Sequence, residues 1–252
     1  MTKPESTPLF QQPENPNVRL WRYVDFAKFV AMLERGGLWF ARLDQLGDPF
    51  EGSTPAAAAQ FWKDMIAQRP DREAIAKHNE GFLREMVRLN RNAAYASCWH
   101  LRDHESNAMW AQYAKVNAGI ALQTTYARLR GALPENAALG MVRYIDYESE
   151  MISLQNILGF YMHKRREFED EREVRALVWA HEFNPATQQP FVRVDASVLG
   201  LNVPIDIQQA IENIVVAPGC QGWFHGLINS VLARYQVALE VQRSELERQP
   251  IL

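Results

Sequence analysis

Phe168-Glu169-Asp170-Glu171-Arg172-Glu173-Val174-Arg175-Ala176-Leu177-Val178-Trp179 is the stretch that orders the rest of this chain. It opens with four acids in five residues, Glu169 to Glu173, and passes into an apolar, β-branched and aromatic run. That composition over this length predicts a strand. Side chains alternate along a strand, so Glu171, Glu173 and Arg175 are expected on one face and Val174, Ala176 and Val178 on the other, packed. Paired carboxylates backed by a cation can stabilise developing positive charge or hold a metal. A solvated strand edge carrying surface ion pairs has the same pattern.

The elements before this stretch alternate in type. Val18–Val24 predicts a strand, and Asp25 a cap for a helix over 26–35, where Phe26, Phe29, Val30 and Leu33 keep helical spacing. Gly36-Gly37 ends that helix, and Leu38–Ala41 resumes as a strand. Asp44–Gly52 is rich in turn residues. Strands are expected at 95–99, 120–123 and 141–147, with helices at 106–116, 126–133 and 148–167. After the acidic stretch come an edge strand at 190–194, a strand at 214–217, a helix at 223–235 and a strand at 237–242.

Residues 1–17, with Pro4, Pro8, Pro13 and Pro16, read as a flexible tail. Residues 55–92 read as a polar helical insertion broken at Pro70. The expectation is a single α+β domain over 18–252, with a mixed central β-sheet and flanking helices.

Bulk composition narrows the function. The chain has 252 residues, 47% hydrophobic, and a formal net charge of −3, which excludes global attraction to nucleic-acid phosphates as its mode of binding. Its seven tryptophans are many for this length, and those outside the core are candidates for stacking on a ligand ring. Cys98 and Cys220 are the only cysteines, too far apart for a CxxC pair, so neither a disulfide framework nor a thiolate zinc site is supported. No apolar run reaches the length of a membrane span, and the start lacks a signal-peptide core. A soluble cytoplasmic protein is the expectation.

Several blocks together resemble a bacterial family of undefined activity that includes abortive-infection proteins of the AbiGi type. They are Leu20-Trp21-Arg22-Tyr23, Gly37-Leu38-Trp39-Phe40-Ala41, Gly47-Asp48-Pro49-Phe50-Glu51-Gly52 and Ala96-Ser97-Cys98-Trp99. Met109-Trp110-Ala111-Gln112-Tyr113 with Gly119-Ile120, Glu171-Arg172-Glu173-Val174-Arg175, Ile214-Val215-Val216-Ala217-Pro218 with Trp223, and Arg243-Ser244-Glu245-Leu246 complete the set. The order of elements also resembles the ADP-ribosyltransferase fold, including DNA-modifying toxins of the DarT kind. That resemblance implies an NAD-consuming effector passing ADP-ribose to protein, nucleic acid or water, with an antitoxin or defence partner. Arg22 or Tyr23, Ser97 and Glu173 then fall, in order and type, where such enzymes carry an early polar residue, a middle serine and a late glutamate.

Under that reading Glu173 stabilises the positive charge that builds on the ribose, and Glu171 accepts a proton from the nucleophile. Arg22 suits a pyrophosphate oxygen, because a guanidinium fork matches that geometry. Trp110 and Tyr113 wall the nicotinamide, Ser97 holds Glu173 or the ribose, and Tyr23 and Arg175 complete the NAD-binding set. Each has an ordinary alternative: a stem-packed arginine for Arg22, core aromatics for Trp110 and Tyr113, a neutral strand residue for Ser97.

Two other classes stay open. A metal-dependent nuclease would gather Asp48, Glu51, Glu171 and Glu173 around magnesium, with Lys164-Arg165-Arg166 on phosphate. A non-catalytic sensor or interaction module would need no paired acids. Nucleic acid, if touched, is expected at Lys164–Arg166 or at Arg84, Arg88 and Arg91. His100 and His104 form a weaker candidate metal pair.

Overall fold

The computed structural model describes residues 10–68, 91–113, 118–152, 157–180, 182–183, 190–191 and 197–251. In chain order the elements are β1 (Arg19–Asp25), α1 (Phe26–Arg35), β2 (Gly37–Arg42), α2 (Ala56–Ala67), β3 (Ala94–Leu101), α3 (Asn107–Tyr113), β4 (Gly119–Thr125), α4 (Tyr126–Ala132), β5 (Ala137–Met141), β6 (Arg143–Ile145), β7 (His163–Arg165), β8 (Glu173–Trp179), β9 (Glu182–Phe183), β10 (Pro190–Phe191), β11 (Gly200–Pro204), α5 (Ile207–Ala210), β12 (Asn213–Val216), α6 (Gly222–Arg234) and β13 (Glu240–Arg243). The fold is α+β, with a mixed central sheet.

The opening unit forms as its residues dictate. Asp25 caps α1 by accepting from Lys28 N at 2.8 Å, and Gly36 closes the helix at φ +57°, where a Cβ would be strained. The chain then returns as β2, one strand away from β1.

Nine of the described strands form the main sheet, in the order β11-β2-β3-β1-β4-β12-β13, with β8 beside β3 and β5 beside β8. All its pairings are antiparallel except β12 with β13. One edge of β3 is paired with β8 from Ala94 to His100. Its other edge carries β2 only at Tyr95 and Ala96, and β1 only at His100 and Leu101. No described strand lies beside Ser97, Cys98 and Trp99 on that edge. β1 and β2 diverge there and leave a wedge.

Residues opposite each other in an antiparallel pair project to the same side. Leu20, Val24, Phe40, Trp99, Leu122, Val174, Ala176 and Ile214 therefore share one face, and they form one core with Phe29 and Leu33 of α1 and Phe224 and Ile228 of α6. On the opposite face Trp21, Tyr23, Ala121 and Val215 pack with Met109 and Trp110 of α3. Further along it Ala94, Ala96 and Leu177 pack with Phe10, Leu43, Tyr161 and Met162. α1 joins β1 to β2 across the first face, from which Arg22 and Ser97 also project, while Tyr23, Trp39 and Cys98 project from the other.

Three expectations are corrected. The acidic stretch is not an exposed edge: β8 lies between β3 and β5, and Arg175 is fully buried. Its strand starts at Glu173, because a 3-10 helix (Arg166–Glu171) and Arg172 in the left-handed region at φ 44° precede it. No single helix runs over 148–167. A 3-10 helix (Ile157–Met162) leads into β7, which pairs in parallel with β6. The buried charges that draw Lys164 inward are incompatible with a solvent-facing helical end. The strand expected over 141–147 is divided between β5 and β6.

β11 was not anticipated, since Gly200 and Pro204 weaken its strand pattern. In the expected tail, Phe10 is buried, Met141 N donates to Gln11 O at 2.8 Å, and Gln12 bonds Leu139 O at 2.9 Å. Within the insertion α2 is described; Arg84 and Arg88 lie outside the described residues. No described helix is long and apolar enough to cross a membrane.

Candidate functional site

Glu173 and Arg175 leave β8 on the same side, and Arg175 grips Glu173 with two hydrogen bonds: Nε to Oε1 at 2.6 Å and Nη2 to Oε2 at 2.9 Å. Glu51, carried in by the loop after β2, brings Oε2 to 2.9 Å from Arg175 Nη1. That contact is one of charge only. Nη1 donates to Tyr161 O at 2.7 Å, and no donor is aligned on Glu51 Oε2. Lys164 on β7 completes the group, with Nζ at 2.7 Å from Glu171, 3.3 Å from Glu173 and 3.5 Å from Glu51.

Three carboxylates and two cations are thus buried together, the Glu173 side chain 1% exposed and that of Glu171 9%. Burial alone would lift the Glu173 carboxyl, but Arg175, and Lys164 with it, hold it well below the ordinary carboxylate range. For Glu51 burial wins, and its carboxyl is raised despite Arg175 and Lys164. Burial opposes the charge on Lys164, yet Glu173 and Glu51 raise its pKa above that of an ordinary lysine.

The basic run at 164–166 is accordingly engaged by acids of this chain, Lys164 buried, Arg165 half-buried and Arg166 exposed. Arg165 pairs with Asp48 at 3.1 Å and Arg166 with Glu150 at 2.7 Å. Arg91 donates to Asp48 O at 3.1 Å. The turn-rich loop over 44–52 is folded inward, with Asp48 and Glu51 both buried. Lys164 stands where a cation among Glu51, Glu171 and Glu173 would sit, and the described residues include no group of acids, histidines and cysteines arranged to hold a metal.

Arg22 lies in the wedge. Its Nη1 donates to Ser97 Oγ at 2.6 Å and its Nη2 to Trp39 O at 2.8 Å, so one side chain ties β1 to β3 and β2 where the strands part. The guanidinium also stands 5.8 Å from the Trp99 ring, whose Nε1 donates to Ser97 Oγ at 3.1 Å. No carboxylate among the described residues is within ion-pair distance of Arg22. Burial lowers its pKa, the direction expected of a cation short of counter-charge.

The sequence-predicted residues are therefore only partly brought together. Glu171, Glu173 and Arg175 meet through Lys164, although Glu171 belongs to the 3-10 helix and not to the strand. Arg22 and Ser97 meet each other, but Ser97 opposes Ala176 and projects away from Glu173, so it cannot hold that carboxylate. Tyr23 and Trp110 pack edge to face at 4.8 Å inside a buried cluster. The Tyr23 hydroxyl accepts from Ser106 N, burial raising its pKa to about 12, and Trp110 Nε1 donates to Glu105 at 2.8 Å. The Tyr113 side chain lies outside the described residues. His100 is buried with Nδ1 2.9 Å from Glu171 O, whereas His104 is exposed.

Sequence reasoning gave Cys98 no part in the site. It projects from the free edge of β3, opposite Arg175, close enough to Arg22 on one side and Glu173 on the other for charge to act between them. Burial and the Glu173 charge hold its thiol well above the ordinary range, which keeps it neutral. The two halves of the predicted site are thus one strand apart and leave opposite faces of the sheet, Arg22 with Ser97 and Trp99, Glu173 and Arg175 with Cys98. At the same corner a cleft of about 660 Å³ is lined by residues including Leu101, Tyr144, Arg166, Asp170, Arg172 and Glu173.

No family model and no curated protein matches this chain. Two solved structures overlap it, both of DarT from Thermus sp. 2.9. The one in complex with NAD+ shares 9% identity at a TM-score of 0.42, covering 95% of this chain and 100% of that one. The one in complex with ADP-ribosylated single-stranded DNA shares 11% identity at a TM-score of 0.41, covering 95% and 99%. At these scores the overlap carries no argument about chemistry.

Proposed function

We propose that this protein binds NAD and transfers ADP-ribose, in the manner of an ADP-ribosyltransferase. The observation that carries the reading is Arg22, a half-buried guanidinium with neutral hydrogen-bond partners and no carboxylate within ion-pair distance among the described residues, with the Glu171 and Glu173 carboxylates beyond β3. A cation withdrawn from water without a counter-ion favours an anionic ligand, and a pyrophosphate offers paired oxygens to its fork.

In this reading the nicotinamide–ribose bond breaks with its electron pair passing to the nicotinamide nitrogen, which becomes neutral. The ribose carbon left electron-poor is stabilised by the field of Glu173, fixed by Arg175 in a low-dielectric setting where field strength is high. Both Glu173 oxygens are already engaged, so it acts through its charge. Glu171, at the end of the 3-10 helix and the more exposed of the two, takes the proton of the attacking hydroxyl as the new bond to the ribose carbon forms. The cleft beside Glu173 has a volume typical of ligand sites and admits the acceptor. The acceptor class, the defence role expected from the AbiGi resemblance and an antitoxin partner belong to the same proposal.

A second reading draws on the engagement of both Glu173 oxygens. The charge group is then a clasp that fastens the loop carrying Glu51 and the 163–171 segment to the sheet, without chemistry. Incubation with NAD labelled on its adenylate phosphate, in the presence of DNA, RNA and protein, separates the two. Transfer or release of labelled ADP-ribose by the wild type, abolished in Glu171→Gln with its fold intact, supports the enzyme. No NAD consumption under any acceptor supports the clasp.

A further inference from the structure

Trp39 is 42% exposed although it sits inside β2, paired with Asn202 of β11 and short of the β2–β3 pairing at Ala41 and Arg42. Its ring lies against the bare backbone of Gly200 on β11: a Cβ there would come within 2.2 Å of Trp39 Cζ2 and 2.7 Å of Phe40 O. The glycine makes room for the ring to lie down on the strand, and the rigid backbone below fixes its plane. Arg35, at the end of α1, places its guanidinium 5.6 Å from the ring centre. The carbonyl of the same tryptophan accepts the hydrogen bond from Arg22 Nη2 at 2.8 Å. A flat, supported, solvent-facing indole is thus combined with one cation at its ring and a second at its backbone.

The geometry points to Trp39 as a stacking platform for a nucleobase whose attached phosphate meets Arg22 or Arg35. This rests on the reading of Arg22 as an anion-binding residue. An indole supported in this way loses little freedom on stacking, and aromatic stacking is indifferent to which base it receives. Guanidinium groups on the rim supply the charge that separates a nucleotide from an uncharged ring. The same chemistry is present in the adenine half of a dinucleotide and in a base of single-stranded nucleic acid.

Equilibrium binding of the full chain to ADP, nicotinamide mononucleotide and a short single-stranded DNA tests it, with wild type, Trp39→Ala and Trp39→Phe compared. Trp39→Ala is expected to weaken ADP by roughly tenfold, with Trp39→Phe retaining most of the affinity and nicotinamide mononucleotide unaffected. Loss confined to the oligonucleotide assigns the platform to nucleic acid and keeps the stacking role while removing the dinucleotide. Unchanged binding of both ADP and the oligonucleotide in Trp39→Ala overturns the proposal, even where NAD turnover itself is found. Should Trp39→Ala fail to fold, Arg35→Gln gives the same comparison, with a severalfold loss for ADP expected and none overturning the rim's role.

Discussion

Arg175 binds Glu173 through both carboxylate oxygens, at 2.6 and 2.9 Å, with the arginine fully buried and the glutamate side chain 1% exposed. The two residues are on the same strand, two apart, so the pair is fixed by local geometry before any neighbour packs. Glu51, from the loop after β2, and Lys164, nine residues before Glu173 on β7, then attach their segments to it.

Removing one member of such a group leaves another buried and uncompensated. Arg175→Met should therefore destabilise the protein by about 3–5 kcal/mol. Glu173→Gln, which keeps an acceptor for Arg175 and leaves Glu51 in place, should lose less. Urea denaturation of the two variants against wild type checks the order.

The pH dependence carries two opposite signs. Glu173 has a lowered pKa, so its stabilisation is present above the ordinary glutamate range, about 4.3, and is lost as pH falls below it. Glu51 has a raised pKa, so its contribution is full below that range and is lost as pH rises through its folded value. Wild-type melting temperature should thus decline from the Glu51 contribution on the neutral side, and Glu51→Gln should flatten that arm while leaving the acid arm. Melting curves from pH 3 to 8 (a range of roughly one unit below the ordinary carboxylates upward) give the comparison.

Gly140 faces Arg175 across the β5–β8 pair, and a Cβ placed on it would come within 2.4 Å of Phe10 Cβ and 3.1 Å of Gln11 O. Gly140→Ala should displace residues 10–12 and cost about 1–3 kcal/mol as an overpacking change. Faster hydrogen exchange at Met141 N, which donates to Gln11 O, is the local signature to look for.

Much of the fold is legible in the chain because its signals are local. Asp25 and Gly36 bound α1 where sequence places its ends, and the packed face of β8 is the one that alternation assigns to Val174, Ala176 and Val178. What was not legible depends on contacts between distant segments. Nothing at Lys164 announces that its ammonium ends among Glu51, Glu171 and Glu173, so its segment reads as the basic end of a helix. Ser97 illustrates the same limit: its place in the order of residues is right for a site serine, but side-chain parity on β3 turns it toward Arg22 and away from Glu173. Cys98, one residue on, occupies the position between them.

Arg22 offers the most direct test, because a ligand-binding cation and a structural one respond oppositely to replacement. Glutamine can still donate toward Ser97 Oγ or Trp39 O while removing a half-buried charge that has no ion-pair partner among the described residues. Binding of NAD to wild type and Arg22→Gln should be measured by calorimetry alongside the melting temperature of each. The account predicts measurable affinity in the wild type, a loss of about tenfold or more in the variant, and a melting temperature that holds or rises. Equal affinity in the two proteins, or no binding by a folded wild type, would contradict it.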